Sequence, residues 1–277
     1  MLTVALLAAL AVLGLGTIAL RSFLFERASF HPPRGPAPRP VASELAALRD
    51  ATFGNGLRGW YLPSRNGAAV VLLHGSSGDR RDLLEEARCL ARCGYGALLF
   101  DSPGHGESEG RVAWGAAECV ALSAAVGWVT AQPEVTSGRV GVFGFSSGAA
   151  IAAQVAAADP RVRAAVLASV FADGDEQTRH SFRRWGPLST LPALLADRLS
   201  GPNLRPLDSI GSVRKPLLFI VGSEDDVVPR RMSERVFEAA PGPKELWIVP
   251  GAGHGGYAKA RPEYGQKLCG FFDEALR

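Results

Sequence analysis

Six short apolar runs, alternating with five stretches of helical spacing, constrain this chain more than any other feature. The runs are AAVVLLH (68–74), GALLFD (96–101), RVGVFGF (139–145), RVRAAVLAS (161–169), PLLFIVG (216–222) and KELWIVPG (244–251). Each is apolar at successive positions, not alternate ones, as expected of strands covered on both faces. Helical patterns occupy 80–93, 114–131, 147–158, 231–240 and 261–276. Strand–helix alternation of this kind implies right-handed crossovers and a mostly parallel sheet with helices on both faces. An earlier segment, 50–62, carries Gly54, Gly56 and Gly59 before Trp60-Tyr61-Leu62 and reads as an antiparallel hairpin. In such sheets ligands bind beyond the C-terminal strand ends, so the site is expected in the residues just after each run.

Those residues carry chemistry. Gly144-Phe145-Ser146-Ser147-Gly148 is a G-x-S-x-G between a strand and the Ala-rich helix SGAAIAAQVAAAD. A sharp strand-to-helix turn holds such a serine in a strained conformation. Side chains two before and two after would clash, hence the glycines. The turn also lifts the serine oxygen to a helix N-terminus, where backbone N–H groups favour developing negative charge. A hydroxyl needs a base, and the base needs an orienting acid. Three adjacent acids, Glu224, Asp225 and Asp226, follow the fifth run, and His254 in Gly253-His254-Gly255 follows the sixth. Serine, acid and histidine in that order, each at the end of its own strand, point to nucleophilic acyl transfer. His31 and His180 lie in a linker and an insertion and do not compete for the base.

With these motifs the chain resembles the α/β-hydrolase superfamily, in particular the small membrane-anchored serine hydrolases with a short cap (the BEM46-like group). The resemblance runs from about residue 50 to the C-terminus. It includes His74-Gly75-Ser76-Ser77-Gly78, similar to the HG loop of the family. It also includes Asp101-Ser102-Pro103-Gly104-His105-Gly106-Glu107-Ser108, with Pro103 where many members carry Arg. The resemblance implies an α/β-hydrolase fold, a mostly parallel central sheet with helices on both faces and a short helical cap over 172–214. It assigns Asp225 as the acid, because the acid is the fourth residue of G-x-x-D-x-x-V-P. It assigns the backbone N–H groups of Ser76 and Ser147 as the oxyanion hole. His74 then shapes its loop and His105 is structural.

The activity so implied is cleavage of carboxylic esters or related acyl compounds by Ser146, His254 and Asp225 through an acyl-enzyme. No metal or organic cofactor is implied. Peptidase, thioesterase, lactonase or acyltransferase activity on the same triad stays open. So does a non-catalytic, membrane-anchored binding module.

Residues 2–20, LTVALLAALAVLGLGTIAL, hold no charge, and as a helix would span about 28 Å, close to a bilayer core of about 30 Å. The expected organisation is an anchor over 1–25, a Pro/Arg-rich linker over 26–45 and a hydrolase domain over 46–277. An anchored enzyme meets lipidic esters, so lysophospholipids or monoacylglycerols are natural substrates by analogy.

The formal charge of +3 resides entirely in residues 1–40, where Arg21, Arg27, Arg34 and Arg39 face only Glu26. The main body is therefore neutral, which excludes an electrostatic case for nucleic-acid binding. All four arginines follow the apolar segment, which places the body in the cytoplasm. The opposite orientation and a cleaved, secreted form are the alternatives. Cys89, Cys93, Cys119 and Cys269 suggest neither a zinc site nor a disulfide framework, in keeping with a reducing compartment. In the cap, Trp185, Leu188, Leu191, Leu194, Leu195 and Leu199 offer an apolar face for an acyl group. The cluster Arg179, His180, Arg183 and Arg184 lies beside it.

Overall fold

The computed structural model describes residues 2–32, 34–41, 43–183 and 204–277. All six runs are strands. After the hairpin of β1 (Arg49–Phe53) and β2 (Leu57–Leu62) come β3 (Ala69–Leu73), β4 (Gly96–Phe100), β5 (Val140–Phe145) and β6 (Val162–Ala168). β7 (Leu217–Gly222) and β8 (Lys244–Val249) complete one eight-stranded sheet of order β1-β2-β4-β3-β5-β6-β7-β8. The pairs β1–β2 and β2–β4 are antiparallel and the remainder parallel, as the hairpin and the crossovers predicted.

Alternate residues of the central strands feed two separate cores. Val71, Leu73, Val142, Leu167 and Phe219 face one side, and Val70, Leu72, Phe143, Val166 and Ile220 the other. The first side is covered by α3 (Ala116–Thr130) and α4 (Ser147–Ala158). It is extended by α6 (Pro206–Ile210) and α7 (Arg230–Ala239), which follow α5 (Gly174–Arg183) in the chain. The second is covered by α2 (Leu84–Arg92) and α9 (Tyr264–Ala275), the latter preceded by the short α8 (Tyr257–Ala260). Burial on both faces is why no alternation is visible in these strands.

The N-terminal helix α1 runs from Leu2 to Phe30, past the expected end at residue 25. Its stretch Thr3–Leu24 has a mean hydropathy of 2.4 and buries nothing against the domain. Thr17 Oγ1 donates to the Leu13 carbonyl at 2.8 Å, so that hydroxyl is satisfied within the helix. This helix is long and apolar enough to cross a membrane, and a signal sequence has the same character. The arm that follows touches the domain at two points. Arg34 bridges to Gly106 and donates to the Ser108 carbonyl at 2.5 Å, and Arg39 pairs with Asp50 at 2.6 Å.

In the cap, α5 leaves the core and α6 returns to it. Gly174 N–H to the Leu204 carbonyl at 2.9 Å ties the two ends together. Trp185, Leu188, Leu191, Leu194, Leu195, Leu199 and Arg184 lie outside the described residues.

One expectation fails. Cys93, just past α2, and Cys269, in α9, form a disulfide across 176 residues, while Cys89 and Cys119 are free. The C-x3-C spacing of Cys89 and Cys93 gave no hint of it, because the partner is supplied by packing of α9 on α2. Thiol titration of the denatured, unreduced protein should count two thiols out of four cysteines, and a count of four would remove the cross-link. Cys93→Ser should cost about 2–4 kcal/mol of stability, read by denaturant unfolding.

The same helix pair holds an acid. Glu86 accepts from Tyr264 Oη at 2.9 Å, and burial, outweighing that bond, pushes its carboxyl up to about 7. An acid whose folded-state pKa is raised contributes stability that is complete below its ordinary value and lost as pH rises through the folded one. The unfolding midpoint should therefore fall as pH rises through about 7, and Glu86→Gln should flatten that slope.

Candidate active site

Ser146 sits between β5 and α4 with φ 56° and ψ −117°, a left-handed conformation for a residue with a side chain. The two flanking glycines make the turn possible. A Cβ on Gly144 would lie 2.2 Å from the Gly148 carbonyl oxygen. One on Gly148 would lie 2.4 and 2.5 Å from the carbonyl oxygens of Leu73 and His74. The backbone is fixed by Ser146 N–H donating to the Ala168 carbonyl at 2.8 Å. Ser147 follows as the first residue of α4, where an N–H has no acceptor inside the helix.

Among the three adjacent acids, the structure brings Asp225 to the histidine. His254 Nδ1 lies 2.9 and 3.1 Å from the two Asp225 carboxylate oxygens. Asp225 also accepts from Val227 N–H at 3.0 Å, Val228 N–H at 2.8 Å and Ser169 Oγ at 2.6 Å. Burial alone would raise this carboxyl. The hydrogen bond and charge of His254, then Ser169 and Val228, hold it below the ordinary carboxylate range. Nδ1 therefore carries the proton given to Asp225, which leaves Nε2 as the basic nitrogen. The carbonyl of Asp226 instead meets His180 Nε2 at 3.0 Å.

Ser76 is held by two histidines that are not candidates for the base. His74 is buried, its Nδ1 donates to the Gly75 carbonyl at 2.7 Å, and its Nε2 accepts from Ser102 N–H at 3.0 Å. Burial, with the neighbouring His105, pushes its pKa down to about 3, so it is a neutral ring of one tautomer. A trans peptide sets N–H opposite the preceding C=O, so this bond aims the Ser76 N–H away from His74. His105 Nε2 meets the Ser76 carbonyl at 2.8 Å, and the two rings lie 4.9 Å apart. Behind them Asp101 accepts from Arg80 N–H at 2.9 Å and Glu107 N–H at 3.0 Å. The Arg80 guanidinium lies 4.7 Å over the Trp60 ring.

Ser146, Ser147, Ser76 and His254 line one cavity of about 360 Å³. Its apolar wall includes Trp114, Phe145, Phe171, Leu204 and Val227, and its polar wall Asp82, Gln177, Thr178 and Ser181. Phe145 packs against the His254 ring at 4.8 Å between centroids. The acid loop is tied to the cap by Gln177 Nε2 donating to the Val227 carbonyl at 2.8 Å. Sequence reasoning missed Ser169, which is fully buried with φ 49°, and Tyr257, whose hydroxyl lies 2.6 Å from Ser169 Oγ. Ser169 directly follows β6, and the run RVRAAVLAS (161–169) reads it as the last residue of the strand. Among the described residues, no group of acids, cysteines and histidines is arranged to hold a metal ion.

Comparisons with known proteins agree with this architecture. The chain is 36% identical over 83% of its length to an uncharacterized protein of Mycobacterium tuberculosis, covering 80% of that protein. It is 28% identical to the uncharacterized YqkD of Bacillus subtilis, over 83% of this chain and 79% of that one. The Pyrococcus furiosus esterase Pf2001 superposes with a TM-score of 0.74 at 25% identity, over 90% of this chain and 98% of the esterase. Residues 31–190 match the model of the S15 family, described as X-Pro dipeptidyl-peptidase. By that match, and by the sheet, crossovers and strand-to-helix turn described above, the chain belongs to the S15 peptidase family within the α/β-hydrolase superfamily.

Proposed function

We propose that this protein is a serine hydrolase of carboxylic esters or related acyl compounds. Ser146 is the nucleophile, His254 the general base and Asp225 the orienting acid. The observation that carries the reading is the Asp225–His254 hydrogen bond at 2.9 Å, with His254 lining the same cavity as the strained Ser146. His254 takes the hydroxyl proton as Ser146 Oγ attacks the acyl carbon, and Asp225 stabilises the charged imidazole. The Ser76 and Ser147 N–H groups receive the oxyanion, each contributing more than about 2.7 kcal/mol in comparable sites. The leaving group takes the proton from His254, and water then cleaves the acyl-enzyme with His254 as base again. The Pf2001 likeness and the apolar wall support the ester reading.

The family description favours a second reading, a peptidase that cleaves after an X-Pro dipeptide. The two separate cleanly in one experiment on the full-length protein. Fluorophosphonate labelling is expected, with turnover of p-nitrophenyl esters exceeding that of X-Pro p-nitroanilides, and both lost in Ser146→Ala. Turnover of the anilides alone would install the peptidase. A folded protein that neither labels nor turns over either substrate would leave the binding-module reading. Asp225→Asn should reduce kcat about 10⁴-fold with the fold intact, whereas Asp226→Asn should leave it within about threefold.

Membrane attachment through α1 belongs to the same proposal, as does membership of the BEM46-like group and a lipidic acyl substrate. The arginines after the apolar stretch favour a cytoplasmic domain, while the Cys93–Cys269 disulfide favours an oxidising compartment. Protease protection in sealed membrane vesicles decides between them.

A further inference from the structure

The second oxygen of Asp225 is served by a buried hydroxyl pair that the triad itself does not require. Ser169 Oγ lies 2.6 Å from Asp225 Oδ2 and 2.6 Å from the Tyr257 hydroxyl. Ser169 is fully buried and Tyr257 nearly so, so water does not supply these bonds. The directions follow from counting protons. Asp225 is held below the ordinary carboxylate range and is acceptor-only, so the single Ser169 hydroxyl proton is committed to it. Toward Tyr257, Ser169 then only accepts, and Tyr257 is the donor. Burial, ahead of all other influences, pushes the Tyr257 phenol well above its usual range, so it keeps its proton.

The backbone is arranged to hold this pair. Ser169 sits at φ 49°, costly for a residue with a Cβ. Its N–H donates to the Ile220 carbonyl at 2.8 Å, while the preceding carbonyl, of Ala168, accepts from the candidate nucleophile's own N–H at 2.8 Å. One strained residue is thus tied to the strand of the nucleophile and to the strand that leads to the acid. Tyr257 follows His254 by three residues and opens α8, so base and relay end lie on one short segment.

Resting on the triad reading above, we propose that Ser169 and Tyr257 are positioning residues. They form a directed relay, Tyr257 to Ser169 to Asp225, that orients the carboxylate and draws part of its charge away from His254. Without the Ser169 proton, more of the Asp225 charge is left to stabilise the imidazolium. The acid limb of the kcat/KM profile then moves to higher pH. Because Tyr257 acts through Ser169, its removal adds nothing once Ser169 has lost its hydroxyl.

The other titratable groups facing this chain are Tyr264, whose ring lies 5.8 Å from that of Tyr257, and Glu86 bonded to it. Glu224 and Asp226 flank Asp225 in the loop. Glu86→Gln serves as the control for Glu86, whose carboxyl titrates near 7.

The test measures kcat/KM against pH for the full-length protein with p-nitrophenyl acetate. Variants are Ser169→Ala, Ser169→Gly, Tyr257→Phe and the double Ser169→Ala/Tyr257→Phe. Ser169→Gly removes the hydroxyl while suiting the positive φ, which separates loss of the proton from loss of fold. The acid limb should rise by about one pH unit in both Ser169 variants and by less in Tyr257→Phe. The double variant should match Ser169→Ala, and Glu86→Gln should keep the difference. A limb that stays in place while amplitude falls, or additive effects in the double variant, would overturn the relay. Turnover that survives Ser146→Ala would instead overturn the triad reading, so the two failures are distinguishable.

Discussion

The strained turn at Ser146 is the constraint on which the rest of the site depends. A residue with a Cβ persists at φ 56° only where its surroundings leave no alternative. Here the surroundings are backbone. Gly144 lies against the Gly148 carbonyl and Gly148 against the carbonyls of Leu73 and His74, so the first turn of α4 is pressed onto the end of β3. That contact also sets the distance between the Ser146 turn and the His74–Gly75 loop. A Cβ on Gly75 would lie 3.3 Å from Ser146 Cβ. The two N–H groups proposed for the oxyanion, Ser147 and Ser76, are therefore fixed by the packing that strains the serine. The histidines behind Ser76 complete the arrangement, and burial, with His105 beside it, keeps His74 neutral in the tautomer that its two hydrogen bonds require.

The chain announced much of this for a physical reason. Strands buried on both faces read as unbroken apolar runs, so β3 to β8 were legible to within a residue or two. The glycines of the serine turn were legible because no other residue fits there. The choice among Glu224, Asp225 and Asp226 was not legible from spacing, since adjacent residues differ only in where a loop aims them. It came from the family resemblance, and the geometry brings Asp225 to His254.

Other features left no local trace. The Cys93–Cys269 bond joins residues that only the α2–α9 contact makes neighbours. The docking of Arg34 on the 106–108 turn depends on a carbonyl, which no side-chain pattern encodes. Tyr257 looks like any aromatic at the start of a helix until Ser169 is found beneath it.

The long span of that disulfide has a consequence for how the protein is made. Helix α9 follows every strand in the chain, yet it packs on layers built from residues far upstream of it. Phe272 fills the space where a Cβ on Gly141 would stand, in the strand that leads to Ser146. The Leu276 carbonyl accepts from Arg139 Nε at 2.6 Å, and Tyr95 donates to Asp273 at 2.5 Å. During translation, the face that α2 and α9 share is only partly covered until α9 emerges. The Cys93–Cys269 bond cannot close before Cys269 is made, and a nascent chain stalled short of residue 264 leaves the apolar side chains that Leu268 and Phe272 cover open to chaperones and proteases.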